Sequence, residues 1–169
     1  MLSKIVLLSF LLCASSAAQV KFTSAYTSLG ARCKTVRGVR GTDDASVCDG
    51  IGGYQVRVYG AAAAVFATAE LKRSNDSYPL ASASLDFDFG RSPVEWRLAN
   101  GKPFAAILRI PKYGEPLAGE YFGKVIGQKL VVRGLKGFEE LDGEVEAASP
   151  RANAKARELA DNAFRSTLK

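Results

Sequence analysis

The stretch VEWRLANGKPFAAILRI, residues 94–110, decides the fold of this 169-residue chain. Its first five residues alternate between apolar and polar side chains, which is typical of a β-strand with one buried face. Asn100-Gly101 follows, a dipeptide that tolerates the positive φ angles of a tight hairpin turn. The mainly apolar segment 104–110 then returns as a second strand. The stretch predicts an antiparallel hairpin, and its first strand, with the only tryptophan, Trp96, facing the core, should be central in the sheet.

Period-two alternation continues on both sides of this hairpin. In residues 54–59 it places Val56 and its apolar neighbours on one face, and Gln55, Arg57 and Tyr59 on the other. Further strands are predicted at 65–71, 85–89, 129–133 and 141–145. A polar loop is predicted at 73–79 and a connection rich in glycine and proline at 111–123.

The period changes to that of a helix near the C-terminus. Ser149 is a plausible N-cap and Pro150 suits the first helical position, so a helix is predicted at about 150–165. Its charged face carries Arg157 and Asp161 at i,i+4, which we expect to be solvated. The predicted fold class is therefore mainly β (α+β): an antiparallel sheet or small sandwich with one C-terminal amphipathic helix.

The first eighteen residues have the pattern of a secretory signal peptide. Lys4 precedes the apolar run 5–12, and Ser16-Ala17-Ala18 supplies the small residues before a cleavage site. We therefore expect residues 1–18 to be removed and residues 19–169 to form a single domain in the periplasm or outside the cell. No later apolar run has the length of a transmembrane segment.

Cleavage at this point leaves two cysteines, Cys33 and Cys48. In an oxidising compartment an even pair predicts one disulfide, which would close a loop and contribute about 3 kcal/mol in the loop-entropy account. Two buried free thiols are the alternative, but the surrounding charged residues indicate loops. The spacing does not match CxxC redox chemistry.

The composition excludes several kinds of catalytic site. The chain has no histidine, which rules out Ser-His-Asp and Cys-His catalysis and zinc sites of the HExxH type. Asp86 and Asp88 alternate with apolar residues and are expected to face solvent rather than to bind a metal. No cofactor motif is present, and whether the chain is an enzyme stays open, with a non-enzymatic role favoured.

The charge distribution favours a binding role. The formal net charge is +6, and loss of Lys4 with the signal peptide lowers it by one. Arg32, Lys34, Arg37 and Arg40 cluster at the start of the predicted disulfide loop. We expect this cluster, with Arg57 and Tyr59 as further candidates, to bind an anionic component of the cell envelope or a protein partner. Export argues against a nucleic-acid partner, and the oligomeric state is left open.

Two alternative functions depend on carboxylates. The acidic run 139–146, or Asp86 with Asp88, could serve a hydrolase of an envelope polymer that uses two carboxylates. The same acidic run could make the contact of a protein that resembles lysozyme inhibitors, although a basic protein would be repelled by a cationic lysozyme.

Four segments in order resemble a group of small exported proteins of alphaproteobacteria. They are residues 50–54, 94–97, 103–109 and 152–161. The resemblance covers most of the predicted mature chain and implies a Gram-negative periplasmic location, but the group has no established activity and implies no mechanism. Members often carry two more cysteines that flank the C-terminal helix. This chain has Ser166 near one expected position, which removes a second disulfide from consideration.

We expect the exported protein to begin at Gln19 and to contain the Cys33–Cys48 bridge, because of the signal pattern and the even number of cysteines. Intact-mass measurement of the exported protein, alkylated with and without prior reduction, tests both points. Two thiols that react without reductant would contradict the bridge.

Overall fold

The computed structural model describes residues 19–37, 44–60 and 66–168. The predictions that concern residues 1–18, Arg40 and Val65 lie outside these residues. In the described part, ten strands precede one helix. They are β1 (Phe22–Thr27), β2 (Lys34–Val36), β3 (Ala45–Asp49), β4 (Gln55–Gly60), β5 (Phe66–Arg73), β6 (Asp76–Ser84), β7 (Val94–Ala99), β8 (Lys102–Tyr113), β9 (Val125–Gly134), β10 (Gly143–Glu146) and α1 (Ala152–Ser166).

The strands form two antiparallel five-stranded sheets. We call the first, with the order β1-β7-β8-β9-β10, the helix-side sheet because α1 packs on it. The second, with the order β2-β3-β4-β5-β6, is the outer sheet. One core lies between the two sheets and another between the helix-side sheet and α1. The predicted fold class, mainly β with one C-terminal helix, is confirmed.

Trp96 anchors the core between the sheets. Its side chain is fully buried, and its indole lies 5.8 Å from the ring of Tyr54, measured between centroids. The indole Nε1 donates a hydrogen bond to Thr27 Oγ1 at 2.9 Å, and that hydroxyl donates to the carbonyl of Asp49 at 3.1 Å. Since Thr27 lies in the helix-side sheet and Asp49 in the outer sheet, this chain of bonds joins the two sheets. The prediction that Trp96 faces the core is confirmed, although β8 and not β7 is the middle strand.

The second core explains why β7 is buried on both faces. Ala152, Ala156 and Ala160 of α1 pack against the side of the helix-side sheet that points away from Trp96. Small side chains let the helix approach the sheet closely, so the side chains of Glu95 and Arg97 also become buried. Alternation correctly separated the two faces of β7, but it gave no sign that the polar face would be covered.

An ionic network crosses the interface between β7 and α1. Arg97 donates two hydrogen bonds from Nη2 and one from Nε to the carboxylate of Asp161, at 2.6 to 3.0 Å. Arg157 Nε donates to Glu95 Oε1 at 2.6 Å, and this bond raises the pKa of the guanidinium above its ordinary value. Ser24 connects the two pairs, because its hydroxyl donates to Glu95 at 2.5 Å and accepts from Arg97 at 2.7 Å.

This network overturns the prediction that Arg157 and Asp161 lie on a solvated face of the helix. The physical reason is that each side chain reaches towards an opposite charge on the sheet. Only 7% of the Arg97 side chain and 13% of the Asp161 side chain are exposed. A buried charge needs a hydrogen-bonded partner, and the sheet provides one for each.

Two predictions for the middle of the chain are wrong. The polar loop at 73–79 shrinks to the turn Ser74-Asn75, because β6 already begins at Asp76 and pairs with β5. The strand at 85–89 is absent: after a turn, Asp88 accepts a hydrogen bond from the amide of Gly90 at 2.9 Å and caps a 3₁₀ helix, Phe89–Arg91. A side chain that binds its own backbone in this way competes with strand pairing.

The remaining boundaries differ by a few residues. The connection predicted at 111–123 is shorter, since β8 ends at Tyr113 and β9 begins at Val125. The helix begins at Ala152 and not at Pro150, because Arg151 has a left-handed φ of 58° and interrupts the helical backbone. Ser149 does not cap with its side chain; its carbonyl accepts from the Ala152 amide at 3.1 Å in the preceding turn. No helix in the described part is long and apolar enough to cross a membrane.

Replacing Trp96 with alanine should lower the free energy of unfolding by about 3–5 kcal/mol, because removal of the fully buried indole leaves a cavity and deletes its hydrogen bond to Thr27. Urea unfolding measures the loss. Leu117→Ala is the control, since Leu117 is 70% exposed and its truncation should change stability by less than about 0.5 kcal/mol. A loss below about 1 kcal/mol for the Trp96 variant would place the indole at the surface.

Asp161→Asn should lower the free energy of unfolding by about 3 kcal/mol, because it leaves the buried Arg97 guanidinium without a counter-charge. Glu158→Gln is the matched control on the same helix. Glu158 pairs with Arg151, but both side chains are mostly exposed, so the expected loss is at most about 1 kcal/mol. Equal losses in the two variants would show that the Arg97–Asp161 pair does not hold the helix.

Candidate functional site: a basic face on the outer sheet

The disulfide positions the first predicted binding residues. Cys33 and Cys48 are bridged, with their Cα atoms 4.3 Å apart, as predicted. Cys48 lies in β3, and Cys33 directly precedes β2, the short strand that pairs with β3. The bridge therefore fixes a strand of only three residues that has few other contacts. Lys34, the first residue of that strand, is exposed beside the bridge.

Strand pairing brings Lys34 and Arg57 onto the same face of the outer sheet. Lys34 is paired with Val47, and Val47 is paired with Arg57. Paired residues in an antiparallel sheet point to the same side, and two strand spacings separate the ends of this row by about 10 Å. This side points away from the helix-side sheet, because the alternate residue Val56 is buried in the core between the sheets. We call it the distal face.

Tyr59 and two residues that the sequence analysis missed lie on the same distal face. Glu70 is paired with Arg57, and Lys72 is paired with Gln55. Tyr59 donates its hydroxyl to Glu70 Oε2 at 2.9 Å, and Glu70 is buried. The alternation of β5 would have placed Glu70 and Lys72 together on one face, but the pairing of β5 with β4 is what puts them beside Arg57.

Arg57 holds the central position on this face. Its Nη2 donates to Gln55 Oε1 at 3.3 Å, whereas its Nε is buried and makes no hydrogen bond within the described part of the chain. A buried guanidinium N–H without an acceptor is uncommon, since most such groups are satisfied. The side chain is thus half-buried at the sheet, with its Nε enclosed and its Nη2 held by Gln55.

We call Lys34, Arg57 and Lys72 together the basic face. None of the three lies within 4 Å of a carboxylate oxygen in residues 19–37, 44–60 and 66–168. Arg32 and Arg37, also predicted as binding residues, are exposed on either side of β2 and likewise have no ion pair there. Of the predicted binding residues, the strand register thus places Lys34, Arg57 and Tyr59 on the distal face, whereas Arg32 and Arg37 flank β2.

The acidic run 139–146 does not form a free acidic surface. Glu144 accepts hydrogen bonds from Lys129 at 2.9 Å, and Glu146 pairs with Lys112. Asp142 accepts from the Gly134 amide at 3.2 Å and lies 3.7 Å from Arg133 Nε. Most of these carboxylates are thus neutralised by cations of β8 and β9.

Glu139 and Asp142 line one groove of about 470 Å³ beside β6. A hydrolase with two carboxylates needs one of them to stay protonated as the general acid. The amide of Gly137 donates to Glu139 at 2.9 Å and lowers the pKa of that carboxyl below its ordinary value, which favours the ionised form. The described residues contain no group of three or more metal-ligating side chains positioned to hold a metal ion.

Comparison with known proteins gives no further guide to the site: no family model, no curated protein and no solved structure matches the chain.

Proposed function

We propose that the chain is an exported, non-enzymatic binding module of the periplasm that recognises an anionic component of the cell envelope through the basic face. The signal pattern of residues 1–18 and the Cys33–Cys48 bridge support the compartment. The observation that carries the binding role is that Lys34, Arg57 and Lys72 share the distal face and make no ion pair within the described residues. The neighbouring Glu70 carboxylate accepts a hydrogen bond from Tyr59 and makes no ion pair with Arg57.

The shape of the basic face favours a partner with repeated negative charges. The three cations project from β2, β4 and β5 of one sheet and not from the walls of a pocket. Arg57 lies about 10 Å from Lys34, two strand spacings away, and about 7 to 8 Å from Lys72, its diagonal neighbour. Such spacing suits the phosphate or carboxylate groups of a lipid surface or of an envelope polymer better than one small ion. The guanidinium end of the half-buried Arg57 side chain can add charge-assisted hydrogen bonds to one of these groups.

The rigidity of the face supports the same role. The disulfide fixes β2, and the hydrogen bond from Tyr59 to Glu70 fixes the distal side chains of β4 and β5 relative to each other. Cations carried on a fixed sheet backbone lose less conformational entropy on binding than cations on a flexible loop do. Tyr59 has therefore a positioning role in this proposal, and the cations make the contact.

The double substitution Lys34→Ala and Lys72→Ala should weaken binding to vesicles that contain phosphatidylglycerol. Each lysine near an anionic surface contributes about 1 kcal/mol, so two should change the partition coefficient by about 30-fold. Co-sedimentation of the disulfide-bridged protein, from Gln19 onward, measures this change at low salt. The difference between the proteins should shrink at high ionic strength because salt screens the charges.

The matched control is Arg91→Ala with Lys124→Ala, which removes the same charge from exposed positions outside the outer sheet. It should retain most of the binding. An equal loss in the control would mean that net charge, and not the basic face, governs association. Vesicles of phosphatidylcholine alone should bind none of the proteins, and purified lipopolysaccharide tests whether a second envelope anion is recognised.

A further inference from the structure

A groove lies at the turn between β7 and β8. The groove has a volume of about 710 Å³ and is partly open to solvent. This volume falls within the range of about 300–1,000 Å³ that is typical of small-molecule sites. Its walls come from four separate parts of the chain: the β3–β4 turn, the end of β5, the β7–β8 turn, and the region where Phe138 meets the end of α1.

Three phenylalanines form the floor of the groove. Phe104 is almost fully buried, and its ring centroid lies 4.7 Å from that of Phe164 and 5.8 Å from that of Phe138. Phe138 and Phe164 stack at 5.2 Å and are only partly buried, so part of their ring surface faces the groove. The floor is thus an apolar surface. Contact with an alkyl or aryl group would remove it from water, which is energetically favourable.

Two cations, Arg73 and Lys102, stand on the walls of this groove. Both are exposed, and neither has an ion pair with any carboxylate of residues 19–37, 44–60 and 66–168. The Arg73 guanidinium lies 5.2 Å from the centroid of the Tyr54 ring, a cation–π contact that orients it. Lys102 follows the turn residue Gly101, whose φ of 80° fixes the direction of the chain.

The groove contains no carboxylate, and this separates it from the four other large grooves of the described residues. Each of those has at least one aspartate or glutamate on its walls. An anion that entered them would meet a like charge, whereas one that entered this groove would meet only Arg73 and Lys102. Asp76 lies opposite Arg73 in the β5–β6 hairpin, but its carboxylate forms an ion pair with Lys136. An apolar floor and two cations without ion pairs are complementary to a ligand with one apolar and one anionic end.

We propose that this groove binds a single-chain anionic amphiphile, with its carboxylate or phosphate headgroup between Arg73 and Lys102 and its alkyl chain on the floor of phenylalanines. This site goes beyond the proposed function, because none of its residues belongs to the basic face. Guanidinium and ammonium groups bind either headgroup by charge-assisted hydrogen bonds, so the shared chemistry is a monoanionic or dianionic oxygen group on an apolar chain.

The test uses octanoate and octyl phosphate as probes, with 1-octanol and inorganic phosphate as ligands that each lack one end. Titration of the disulfide-bridged protein is followed by NMR at the backbone amides of Gly52, Gly101 and Phe138, which line the groove. We expect one or both anionic amphiphiles to shift these amides at concentrations about tenfold below those of octanol or phosphate, since both ends contribute to affinity. The relative affinities of octanoate and octyl phosphate then identify the headgroup.

Arg73→Gln and Lys102→Gln should each weaken binding of the preferred anionic amphiphile by about five- to tenfold and leave octanol binding unchanged. Lys124→Gln is the control, because Lys124 is an exposed lysine outside this groove, and it should bind like the unmodified protein. Since both wall residues are exposed, the variants should keep the NMR spectrum of the folded protein.

Three results would overturn the proposal: no shift of the groove amides by either anionic probe, equal affinity for octanol and the anions, or equal losses in Lys124→Gln and the two wall variants. Failure of the basic face is distinguishable, because the Lys34→Ala and Lys72→Ala protein should keep its affinity for octanoate or octyl phosphate. Conversely, Arg73→Gln should bind the anionic vesicles at least as well as the Arg91→Ala and Lys124→Ala control.

Discussion

The contact on which the rest of the structure depends is the buried salt bridge between Arg97 of β7 and Asp161 of α1. Three hydrogen bonds of 2.6 to 3.0 Å join them, and little of either side chain is exposed. Such a pair adds little to stability compared with apolar residues of the same shape, because both charges lose their hydration. The pair instead fixes the position of α1 on the helix-side sheet, because any slip of the helix along the sheet would leave a charge buried without a partner.

Fixing the helix in this way also builds the aromatic floor of the groove. Phe164 lies three residues after Asp161, close to one helical turn, so the position of the salt bridge determines where its ring lies. There it contacts Phe22 of β1 and Phe104 of β8 at centroid distances of 5.6 and 4.7 Å. The alanines of α1 allow this close approach, since larger side chains at Ala156 or Ala160 would lift the helix away from the sheet.

Much of the fold could be predicted from local pattern, and the failures have a physical cause. The Trp96 hairpin, the disulfide and the C-terminal helix follow from alternation, cysteine parity and helical spacing. The burial of Glu95 and Arg97 could not be predicted, because alternation separates two faces of a strand without telling which of them another layer will cover. The apolar run 104–108, which lacks alternation, is the signal that both faces of the helix-side sheet are covered.

The candidate site could be predicted only in part for a similar reason. Charge clustering identified Arg32, Lys34 and Arg37, which are close in sequence. Lys72 is distant in sequence from Lys34. The two share a face only because β2 pairs with β3, β3 with β4, and β4 with β5. The register of a sheet depends on contacts that are non-local, and a single sequence carries little information about them.

Ion pairing leaves some cations of this moderately basic chain without a carboxylate partner. Eight carboxylates of the described residues take part in ion pairs within 4 Å of a cation, and they lie in the helix-side sheet, its loops, α1 and the start of β6. The cations of the basic face, together with Arg73 and Lys102, have no such partner in the same residues. The distal face and the groove are thus two of the places where cations stand without ion pairs; Lys124, Lys155 and Arg165 are further examples in the described residues. Because the potential near a protein depends on local charge more than on the net sum when salt screens beyond about 8–10 Å, these two regions can attract anions although the whole chain is only moderately basic.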